Sequence, residues 1–156
     1  MQAQDAIAQT DFDPGSVDLG PLAWVLEEVR KSLDQSGKAL RRYVRELEGT
    51  RGSGAEPDVT ILRGARQQLH QVSGALLMVG QLQGARMAEA MEGALERMLL
   101  DPQLCTDDAA SRIERAGFAL VEFLDSVLGG KGLSPVALFP QFREALELAS
   151  ADRVHP

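Results

Sequence analysis

One histidine in this chain sits where it can do chemistry. His70 is the only histidine outside the C-terminal tail, and Gly74 follows it by four residues. A neutral imidazole is nucleophilic near pH 7 and can attack a phosphoryl group presented by another protein. A carrier of this kind needs little machinery, because the donor brings metal and positioning. It needs an exposed ring on a rigid support, a small neighbour that lets a partner close in, and a cation against the added charge. Gly74 supplies the small neighbour, at about 1 kcal/mol of helix propensity relative to Ala. Arg66 and Arg63, one and two turns before His70, are the candidate cations. Leu77, beyond Gly74, offers a partner an apolar anchor, and Gln67 is a second candidate contact.

Other chemistries find less support. His70, His155 and the single Cys105 show no HxxxH or CxxC spacing, so no metal site is expected. No glycine elbow surrounds any serine or Cys105. A phosphate-binding GxxxxGK[ST] loop is absent, as is GxGxxG after a strand, and no cofactor is expected. The pairs Glu27-Glu28 and Asp107-Asp108 read as helix surface and helix cap.

The element that must carry His70 is a helix. Leu62, Ala65, Leu69, Val72, Leu76 and Val79 recur in steps of three and four, the seam of a packed helix. At about 100° per residue, His70 lies roughly 130° from the middle of that seam, toward solvent. Gly74, Ser73, Leu77, Arg66 and Arg63 are placed around it. Asp58 is the expected N-cap and Gly80 the C-terminal glycine. The short link to Gly84 requires the next helix to run back.

The remaining elements are also helical. A long first helix is expected from about Pro21, with Leu22, Leu26, Val29, Leu33, Leu40, Val44 and Leu47 inward. Lys38, Arg41, Arg42 and Arg45 share its opposite face, read as a solvated surface balanced by acids. Trp24 and Tyr43 are expected to pack. A third helix over about 84–100 places Met87, Met91 and Met98 in the core. Thr106 or Asp107 caps a fourth helix that Gly129-Gly130 ends. A short helix over 140–150, with Phe139, Phe142, Leu146 and Leu148, is expected to cap one end. The predicted class is all-α, an antiparallel four-helix bundle with an additional short C-terminal helix. Residues 1–18 read as a flexible arm, 19–131 as the bundle, and 132–156 as a C-terminal helix and linker to further domains.

Composition sets the outer bounds. The 156 residues suffice for one domain with a full core. A hydrophobic share of 44% with only 4% aromatics means a core of Leu, Val, Ala and Met. A net charge of −7 disfavours nucleic acid as partner. No apolar run approaches a membrane span, no secretion signal opens the chain, and a lone cysteine suits a reducing compartment. Cytoplasm is the expected location.

The stretch His70-Gln-Val-Ser73-Gly74 with Val79-Gly80 resembles the histidine phosphotransfer (HPt) motif HxxKGxxxxhG, where h is apolar. A wider likeness runs over about residues 18–156. Pro21-Leu-Ala-Trp-Val-Leu-Glu-Glu-Val-Arg-Lys-Ser-Leu, Ala65-Arg-Gln-Gln-Leu-His-Gln and Val136-Ala-Leu-Phe-Pro-Gln-Phe-Arg-Glu carry it. They resemble the N-terminal region of the large chemotaxis-type hybrid histidine kinases of type IV pilus systems (the ChpA/PilL type), and the related FimL-type pilus regulators. The resemblance implies that His70 is a phosphoacceptor and Gly74 a close-approach residue. It also implies two partners, a receiver domain and a histidine kinase domain, and no activity of the piece alone. Ser73 stands where the family has lysine, so no cation is implied there. The alternative is an inert scaffold of the same fold that docks pilus or polar-localisation proteins.

Overall fold

The chain is described here as a computed structural model over residues 19–50, 52–54, 56–130 and 138–149, without the side chain of Phe139. The expected arm at 1–18 and the linker part of 132–156 lie outside the described residues. Within them the protein is all-helical, with no strand. The helices are α1 (Gly20–Thr50), α2 (Val59–Met78), α3 (Leu82–Leu100), α4 (Asp107–Leu128) and α5 (Phe139–Ala149). A 3-10 turn, Pro102–Leu104, stands before α4.

Local sequence explains each boundary. The Asp58 carboxylate accepts from the Thr60 backbone N–H at 3.0 Å and caps α2. Hydrogen bonds from the Thr60 hydroxyl and backbone hold the Asp58 carboxyl below its ordinary pKa. Gly80 ends α2 at φ +77°, a left-handed conformation that glycine adopts at no steric cost. Its N–H donates to the Leu77 carbonyl at 3.1 Å, and Gln81 N–H donates to Leu76 at 2.8 Å. Thr106 Oγ1 accepts from Ala109 N–H at 3.1 Å at the start of α4. Asp107 and Asp108 follow in the first turn, where the helix dipole favours negative charge.

Packing follows the apolar seams. Leu22, Leu26, Val29, Leu33, Leu40 and Val44 of α1 are buried, as are Met87, Met91 and Met98 of α3. Ser36 interrupts the α1 seam, and its hydroxyl donates to the Leu33 carbonyl at 3.0 Å, so the polar group is satisfied. In the ring of contacts, α1 meets α2 and α4, and α3 meets the same two. Cross-helix pairs show the directions. Arg66 pairs with Glu96 and His70 with Glu92, while Leu76 lies against Gly84, so α2 and α3 run opposite ways. The pairs Arg30–Asp125 and Arg41–Glu114 show the same for α1 and α4. Gly84 is a tight helix approach: a Cβ there would stand 3.2 Å from Leu120 and 3.3 Å from Leu76.

Two expectations are corrected here. Trp24 does not pack but is 79% exposed, because it points about 160° away from the Leu22–Leu26–Val29 seam, whereas Tyr43 is buried. Instead of capping an end, α5 packs along α3 and α4. Ala145 is buried, and the Ala149 methyl stands 3.1 Å from the Cβ position of Gly93, halfway along α3. A glycine flanked by bulkier positions opens a side groove there. On the basic face of α1, Lys38, Arg41 and Arg42 are paired with acids. Arg41 bridges to α4 through Glu114 (2.6 Å), Ser111 (2.8 Å) and Asp107. The Glu114 carboxylate pushes the Arg41 pKa up. Arg42 pairs with Glu46 at 3.2 Å and Lys38 with Asp34 at 2.9 Å.

Candidate functional site

His70 lies at mid-length on α2, on the flank that faces α3. Leu62, Ala65, Leu69, Val72 and Leu76 anchor the helix with near-zero exposure, so the ring stands on a rigid support. The His70 side chain is 63% exposed. Its Nδ1 stands 3.1 Å from Glu92 Oε1 and 3.2 Å from Oε2. Glu92 comes from α3 and keeps only 12% of its side chain exposed. An ionised carboxylate only accepts, so it selects the imidazole with its proton on Nδ1. The lone pair then rests on Nε2, for which no partner is seen among the described residues. An oriented ring with one free basic nitrogen is a nucleophile ready for an electrophile from outside.

Gly74 is exposed, and a Cβ added there would meet nothing within 4 Å. The surface beside His70 is therefore open. Gln67 is exposed as well. Leu77 is 48% exposed, and its neighbours Met78 (88%) and Leu82 (48%) extend an apolar ridge over the α2–α3 turn.

The two candidate cations differ in their partners. Arg66 Nη1 lies 3.4 Å from Glu96 Oε1 and 3.5 Å from Glu92 Oε2, so it is shared between two carboxylates. Arg63 is exposed and pairs with no acid among the described residues. Ser73 is not on the exposed patch. It is 4% exposed, and its hydroxyl donates to the His70 carbonyl at 2.8 Å. The reason is its register: Ser73 stands four residues after Leu69 and three before Leu76, both seam positions. That hydroxyl is turned to the backbone and makes no contact with the imidazole, so the two form no nucleophile–base pair.

Glu92 is the residue that spacing on α2 alone does not reveal. It becomes visible only when α2 and α3 are set in opposite directions about the turn at Gly80, which pairs position 70 with position 92. Elsewhere, Cys105 is a free, buried thiol whose burial pushes its pKa up to about 11. Among the described residues no group of three His, Cys, Asp or Glu side chains is placed to hold a metal. None of their helices is long and apolar enough to cross a membrane. The chain matches no family model, no curated protein and no solved structure.

Proposed function

We propose that this chain is a histidine phosphotransfer module with His70 as its phosphoacceptor. The observation that carries the reading is the exposed imidazole whose Nδ1 is held by the nearly buried Glu92, beside the open surface at Gly74. In the proposed step, the Nε2 lone pair attacks phosphorus. The N–P bond forms as the donor's P–O bond breaks, and the Nδ1 proton stays hydrogen-bonded to Glu92. Discharge runs in reverse: a receiver carboxylate attacks phosphorus and the bonding pair returns to Nε2. The donor is a kinase domain or a receiver aspartyl phosphate. Leu77 and Gln67 would meet the partner, with Gly74 allowing its active site to close in. The packing of α1 to α4 suits the antiparallel four-helix bundle of HPt domains, with α5 as an added helix. On this reading the chain is the N-terminal part of a pilus-linked, chemotaxis-type hybrid histidine kinase.

The test is transfer of label from ATP through a cognate kinase domain, followed by mild acid. Acid-labile label that disappears in His70→Gln supports the reading. A second reading is favoured by Ser73 and Arg66: the family's lysine is replaced by a buried serine, and the adjacent arginine is already engaged. In that case the module docks pilus or polar-localisation proteins without carrying phosphate. Binding retained in His70→Gln, with no label from any kinase or phosphorylated receiver, would decide for it.

A further inference from the structure

We propose that a second copy of this chain docks on the face formed by α1 and α4, across the bundle from His70, each copy seating its Phe118 in a groove of the other. The groove is about 430 Å³ and lies between the two helices at the level of Gly37 and Gly117. The Arg30–Asp125 and Arg41–Glu114 pairs set these glycines opposite each other. A glycine inside a helix weakens it, and a close helix approach is the usual return. Gly84 gives that return, since a Cβ there would stand 3.2 Å from Leu120. Gly37 and Gly117 do not. A Cβ at Gly37 would meet only Glu114 Cγ, at 3.7 Å, and one at Gly117 nothing nearer than Met91 Cε, at 3.8 Å. The helices stay apart where both lack side chains, and room for a side chain is left between them.

Phe118 supplies the matching part. It stands on the lip of the groove and is 71% exposed, while Leu33, Met91 and Ile113 give the groove a buried apolar floor. Knob and hole thus share one surface, which is the condition for a self-complementary contact. A two-fold axis parallel to the helices, between Phe118 and the groove, places each ring in the other copy's hole. The same rotation lays α4 of one copy over α1 of the other. Beside Phe118, α4 carries Glu114, Glu122 and Asp125, and Glu122 is exposed with no cation partner among the described residues. Along the groove, α1 carries Arg30, Lys38 and Arg41 against the one carboxylate of Asp34. Unlike charges therefore meet along the contact and fix its register.

Sedimentation velocity of the chain, from micromolar to millimolar concentration, tests the proposal. The wild type should pass from monomer to dimer over that range. Phe118→Ala removes the knob and Gly37→Leu fills the hole. Each should weaken self-association about 100-fold or more, because a two-fold dimer makes the contact twice. Neither change should lower the urea midpoint of the monomer: Phe118 is exposed, and position 37 has room for a Cβ and gains helix propensity. If Gly37→Leu does lower it, the more flexible Gly37→Met takes its place as the filler. The decisive sample is the mixture. Phe118→Ala keeps its groove and Gly37→Leu keeps its ring, so together they should form a heterodimer where neither variant dimerises alone. A wild type still monomeric at millimolar concentration overturns the proposal. So does a dimer that both substitutions leave intact, or a mixture that stays monomeric. None of these outcomes bears on His70, whose role as acceptor is read by labelling alone.

Discussion

At the residue scale the ring of His70 is governed by one partner, Glu92. Changing that carboxylate to an amide removes the fixed acceptor, because an amide can present either its oxygen or its NH2 group to Nδ1. Labelling of Glu92→Gln by phosphoramidate should slow by roughly ten-fold, about 1.4 kcal/mol in the barrier. The helix itself should survive, since far-UV circular dichroism reports α2 independently of that hydrogen bond. Gly74→Ala separates two roles of the glycine. Its Cβ meets open space, so the fold should gain about 0.5–1 kcal/mol in urea unfolding. Small-donor labelling should persist while transfer to a receiver falls, if close approach is what the glycine provides. Ser73→Lys would not simply restore a missing cation, because position 73 is buried and the new charge must escape the seam.

At the element scale, the helices and their ends are largely legible in the sequence. Caps at Asp58 and Thr106, the stop at Gly80 and the seams of α1 and α2 all follow from local chemistry and three-four spacing. Three features are not. A seam drawn through Leu62, Ala65, Leu69, Val72, Leu76 and Val79 is centred too far from α3 and leaves Ser73 outside it, although Leu69 and Leu76 bracket the serine at seam intervals. Glu92 depends on which helix faces His70, and no spacing within α2 encodes that. The side-on seat of α5 depends on a bare glycine, Gly93, whose vacancy becomes a groove only once α3 and α4 are packed. Gly84 gives the sharpest test of helix approach. Gly84→Val should destabilise by about 1–3 kcal/mol in urea unfolding, as the Leu76 and Leu120 methyls have little room to yield.

At the scale of the whole molecule, the core holds two groups that resist losing protons. Burial raises the Tyr43 pKa above its ordinary value and takes that of Cys105 from 9.0 to about 11. Both are acids favoured in their neutral form when folded. For Cys105 the folded state binds more protons than the unfolded chain between those two values, so stability is full below about pH 9 and declines from there toward about 11. Thermal midpoints measured across that range should fall, and Cys105→Ala should flatten part of the decline. The thiol should also react slowly with disulfide reagents until the protein unfolds.

The turn at Gly80 has a mechanical meaning beyond joining two helices. It sets the phase of α3 relative to α2, and the partnership of His70 with Glu92 exists only in that phase. One residue inserted within α3 between Leu82 and Glu92 would advance Glu92 by about 100° and 1.5 Å relative to the start of that helix, swinging it off the imidazole while both helices stay whole. The reactivity of the histidine is in that sense indexed by a joint at the far end of its own helix, much as the stroke of a cam is set where it is keyed to its shaft.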